Sequence, residues 1–109
     1  MSKSTSRKVT ASPVRQAVER GARVLTIHYG DEEWLKRIQE KDLDLGDGEY
    51  CVLGQLEGSF IRGTERLGAG VRAEPNYFGF DQGEERSYGL LTRVWRNFIR
   101  RRKRQLGWA

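Results

Sequence analysis

The chain has 109 residues, 37% hydrophobic and 32% charged, with a formal net charge of +5 and one cysteine. That length provides about one small domain with a modest core. A single cysteine excludes an intrachain disulfide framework, no apolar run approaches the ~18 residues of a membrane span, and the basic start "MSKSTSRKVTASPV" lacks the apolar stretch of a signal peptide. These features favour a reducing, cytoplasmic setting.

Charge is distributed unevenly. Residues 1–27 carry net +5, 28–50 net −5, 51–92 net −2 and 93–109 net +7. Two basic ends flank an acidic waist, an asymmetry that points to an anionic partner at one end. Residues 1–11 are Ser, Thr, Lys and Arg with little to bury, and read as a disordered basic arm. Ser12-Pro13 then reads as a helix start, because Ser caps free amides and Pro is preset for the first helical position. Val14, Ala17, Val18, Ala22, Val24 and Leu25 fall mostly on one face, and Gly30 suits a stop.

Asp31 is placed to cap a second helix, with Glu32 and Glu33 favoured by its dipole and Trp34, Leu35 and Ile38 as its apolar face. This helix is expected to fail near Lys41. "DLDLGDGE" reads as an acidic turn whose leucines plug into the core. In "CVLGQLEGSFIRGTERLG" the apolar residues recur at helical spacing, but Gly54, Gly58 and Gly63 break the run into two short pieces. "AGVRAEPNYFGFDQG" reads as a loop anchored by Tyr77, Phe78 and Phe80. Finally, Tyr88, Leu91, Val94, Trp95, Phe98 and Ile99 form a strong stripe on a helix expected from about Glu84 to Arg104.

The expected fold is therefore mainly α: a single domain of four to five helices over residues 12–106, with a tail at 107–109. The last helix is expected to be the longest, to pack its aromatic stripe on the "CVLGQL" helix and to project basic side chains into solvent.

Motifs for chemistry are weak. Counted from Asp42, a calcium loop needs an acid or Asn fifth, Gly sixth and Glu twelfth, where this chain has Gly46, Asp47 and Leu53. Cys51 and His28 are the only residues of their types, too few for a zinc set without carboxylates or a second chain, and Cys among Val and Leu is a small hydrophobe. Asp31, Glu32 and Glu33 diverge around a helix and form no facing pair. "GTERLGAG" lacks the Lys-Ser/Thr of a phosphate loop. No cofactor or metal is expected, and the chain reads as a non-enzymatic protein.

"RVWRNFIRRRKRQ" is the segment with functional content. Arg93, Arg96, Arg100, Lys103 and Arg104 are expected on one broad face opposite Trp95, Phe98 and Ile99, with Arg101 and Arg102 completing the run. Such a helix suits low-specificity nucleic-acid binding through phosphates. The same charges also suit an acidic protein partner, an anionic membrane surface, or a solvated helix end favoured by the dipole. A second expectation is a protein-interaction surface built on the acidic waist with Trp34, or on Tyr77 and Phe78.

The order "ERGARVL", then Trp34 and Ile38, "DLDL", "CVLGQLEGSF", "LG", "YFGF" and "LLTRVWRNFIRRR" resembles a family of small, largely uncharacterised proteins of actinobacteria and especially of their bacteriophages. The likeness covers roughly residues 18–102, and "CVLGQL" followed by Gly and an aromatic is its most specific part. It implies a phage or prophage accessory protein working in the host cytoplasm. Many such proteins carry another Cys shortly before "CVLGQL". Here Asp47, Gly48, Glu49 and Tyr50 stand there, a departure that argues against a metal or redox pair.

Overall fold

Ser12 opens the first helix as expected. Its hydroxyl accepts the Arg15 N–H at 3.2 Å, and Pro13 begins α1 (Pro13–Tyr29), in a computed structural model that describes residues 12–83 and 86–108. The arm at 1–11 and the helix-start role of Glu84 and Glu85 lie outside the described residues. Gly30, at φ 93°, ends α1 and starts α2 (Asp31–Arg37), so Asp31 occupies the first helical position rather than the cap. A left-handed backbone there is natural for Gly and strained for other residues. Helix α2 stops earlier than expected, because Ile38 turns extended to bury its side chain. A 3₁₀ turn (Glu40–Asp42) follows, and Leu43 and Leu45 point into the core while Asp44 points out.

The glycine-interrupted segment forms two helices, α3 (Val52–Glu57) and α4 (Phe60–Leu67). Glycine sets their spacing. A methyl group on Gly63 would sit 2.4 Å from Leu53 Cβ, and one on Gly54 would sit 2.4 Å from the Gly48 carbonyl oxygen. The region from Ala69 on is not all loop. It folds into α5 (Ala69–Ala73), anchored by buried Val71, and a 3₁₀ turn (Pro75–Phe78). Short, Ala- and Gly-rich helices carry too little stripe to be read from periodicity.

The last helix, α6 (Tyr88–Gln105), is the longest, and it starts later than the expected Glu84, because Ser87 caps it by accepting the Leu90 N–H. Left-handed Gly107 closes it, with Gly107 N–H to Arg104 O and Trp108 N–H to Lys103 O, the pairing that satisfies orphan helix carbonyls. Among the described residues the fold is helical with no strand, as expected, though cut into more pieces than four or five.

One core joins these elements, and Trp95 is its centre. Its ring stacks on Phe80 at 5.7 Å, meets Trp34 and Phe98 edge-on, and donates its indole N–H to Gly79 O at 2.6 Å. Helix α6 packs chiefly on α1 and the 40–42 turn rather than on α3. The 38–45 connector takes up that side of α6, and Thr92 accepts the buried Leu45 N–H at 2.9 Å.

Candidate nucleic-acid interface

The seven cations of α6 do not act as one patch. Tertiary contacts sort them into two groups.

Arg96, Arg102 and Lys103 are engaged by the protein's own acceptors. Residues 38–43 have little regular structure, so their carbonyls need donors from elsewhere. Arg96 supplies two, with Nε to Glu40 O at 2.9 Å and Nη2 to Leu43 O at 3.1 Å. Lys103 Nζ donates to Ile38 O at 3.2 Å and pairs with the Glu40 carboxylate at 2.8 Å. Arg102 forms an ion pair with Asp31 at the start of α2 and donates Nη1 to Gln105 at 3.1 Å. Asp31 also accepts from the Thr26 hydroxyl, which in turn accepts the Trp34 indole N–H. Arg102 is thus the outer end of a polar chain joining α1, α2 and α6. The expectation that Arg96 and Lys103 share the free face is corrected on this ground.

Arg93, Arg100 and Arg104 are exposed and have no hydrogen-bond or ion-pair partner among the described residues. They recur at i, i+7 and i+11, with exposed Asn97 at i+4, so they share one face. From Arg93 to Arg104 the axis rises about 16 Å at 1.5 Å per residue. Arg101 is half-buried, likewise unpaired among the described residues, and stands about 80° around the helix from Arg93. It lines a shallow cavity with Phe98, Arg102 and Gln105.

The other expected surface residues separate as well. Trp34 is 0% exposed and belongs to the core, so it offers no interface. An apolar α2 face folded against α1 and α6 buries it. Tyr77 is 48% exposed on the turn over α1, and Phe78 is half-buried beside it. Arg20 holds Tyr77, with its guanidinium 3.8 Å above the ring and Nε donating to Tyr77 O at 2.8 Å.

The acidic turn is internally occupied. Asp44 accepts from the Gly46 N–H, and Asp47 accepts from the Glu49 and Tyr50 N–H groups. No group of three or more His, Cys, Asp or Glu side chains among the described residues is arranged to hold a metal. Cys51 caps α3, its sulfur accepting the Gly54 N–H at 3.3 Å, and burial pushes its thiol pKa upward, away from the reactive thiolate. His28 is exposed on α1, edge-on to Tyr29. No helix of the described residues is long and apolar enough to cross a membrane.

Comparison with known proteins finds no matching family model, no matching curated protein and no matching solved structure.

Proposed function

We infer that this protein binds nucleic acid without catalysing a reaction, using the exposed face of α6. The observation that carries the reading is the sorting itself. Where the fold needs cations it engages Arg96, Arg102 and Lys103, and yet Arg93, Arg100 and Arg104 have no partner among the described residues and share a single face. Duplex DNA carries one negative charge per about 1.7 Å of axis, so a row about 16 Å long meets several phosphates. Contacts of this kind position a protein without reading sequence, so low specificity follows. The resemblance of the "CVLGQL" region to phage and actinobacterial proteins fits an accessory role in host cytoplasm.

The test is fluorescence anisotropy with labelled DNA across a salt series. Each phosphate contact contributes about 0.9 to the slope of log K against log salt, so R93A/R100A/R104A should lose up to about 2.7 of that slope. Equal DNA retention by wild type and this variant at low salt overturns the reading.

A second reading, a factor that binds and modulates a host protein, rests on the Tyr77 ring held exposed by Arg20. Nuclease-resistant capture of one host protein, kept in R93A/R100A/R104A and lost in Y77A, supports it. Capture that disappears with nuclease returns the balance to nucleic acid.

A further inference from the structure

The free arginine face of α6 continues around the helix into a groove. Between α1, α2 and α6 lies an open cavity of about 310 Å³, lined by Arg23, Thr26, Asp31, Phe98 and Arg102 among others. A second, of about 260 Å³, shares Phe98 and Arg102 as walls and adds Arg101 and Gln105. The two adjoin at Phe98 and Arg102, a trough-like pair with the half-buried Phe98 in the wall of each. Arg101 is its edge on α6, the same edge that borders the exposed arginine row.

We propose that this trough receives one unstacked nucleobase of a single-stranded nucleic acid whose backbone follows the arginine row. The proposal rests on the nucleic-acid reading above. Charge placement selects the occupant. Inside the trough the carboxylate of Asp31 is already paired with Arg102, and Glu19 is paired with Arg15 on the opposite wall. With both acids neutralised by their partners, the trough interior is close to neutral and its free charge is cationic. The unpaired cations are Arg23, exposed on α1, and Arg101 on α6, both without partners among the described residues. A neutral planar ring inside and phosphates outside match that arrangement. Single strands are held this way, by bases stacked on aromatic rings or guanidinium planes beside a cationic track. Each cavity taken by itself lies at the small end of ligand pockets, which fits one base rather than a larger ligand. A duplex keeps its bases stacked and cannot fill the trough, so the protein should prefer single strands.

The experiment compares labelled single strands, duplexes of the same length, and single strands of equal charge with abasic sites. Stacking of one base should favour the ordinary strand over the abasic strand by about 5- to 150-fold. F98L, which keeps apolar volume but removes the ring, should abolish that advantage while leaving duplex affinity unchanged. R23A should weaken single-strand binding several-fold with duplex binding unchanged. As an exposed change it keeps the test alive if F98L does not fold. Equal affinity of wild type for ordinary and abasic strands overturns the trough while leaving phosphate binding by α6 intact. Poly-glutamate that removes the single-strand advantage at equal charge shows an acidic-peptide groove and also overturns it. Failure to bind any polynucleotide removes both readings together.

Discussion

Replacing Arg96 with Ala should destabilise the fold far more than replacing Arg100, although both are arginines on the same helix. Arg96 is half-buried and closes two carbonyls of the 38–45 connector, Glu40 O at 2.9 Å and Leu43 O at 3.1 Å. A hydrogen bond to a charged group contributes about 1.5–3 kcal/mol, so two set a ceiling of about 3–6 kcal/mol. The bonds share one side chain and water can reach part of the site, which reduces the expected loss to about 2–3 kcal/mol. For a domain of this size that corresponds to a fall in Tm of roughly 10–20 °C. Arg100→Ala, without a partner among the described residues, should stay within about 0.5 kcal/mol. Arg96→Lys should fall between, since an ammonium lacks the fork that reaches both carbonyls. Thermal and urea unfolding followed by circular dichroism and tryptophan fluorescence reads all three. Equal melting of R96A and R100A would refute the division of α6 into structural and free cations.

Two further outcomes follow from close packing and from ionisation. Gly21→Ala should cost about 2 kcal/mol or more, because the new methyl would lie 2.1 Å from the Phe78 carbonyl oxygen, whereas Gly48→Ala, with nothing within 4 Å, should change the urea midpoint little. Tyr88 donates to Asp81 at 2.6 Å, and that bond, with burial, raises the phenol pKa from 10.0 to about 12. The folded state thus favours the neutral phenol, so its contribution is complete below about pH 10 and is lost as pH rises toward 12. Urea unfolding across this range should show a steeper alkaline loss in wild type than in Y88F, and parallel curves would contradict the assignment.

Much of the fold was legible because it is decided locally. Ser12-Pro13 starts a helix and Gly30 stops it whatever lies elsewhere in the chain, since caps and positive φ act within a turn. The breaks in "CVLGQLEGSFIRGTERLG" and the long stripe of the last helix were readable for the same reason. The short α5 was not, as its few small residues hold shape by docking rather than by propensity.

The site divides along the same line. Sequence alone determined that the C-terminal helix is long, amphipathic and strongly basic, and that no metal or nucleophile motif competes with it. Tertiary structure decided which of its cations are free. Arg96, Arg102 and Lys103 find acceptors 53 to 71 positions away, at Leu43, Glu40, Asp31 and Ile38. Helical spacing cannot encode that choice, because carbonyls left open by an irregular connector draw in whichever donors the packing brings near. Trp34 follows the same logic. Its place in an apolar stripe was visible, but only the fold of α2 against α1 and α6 turned it from a surface aromatic into core.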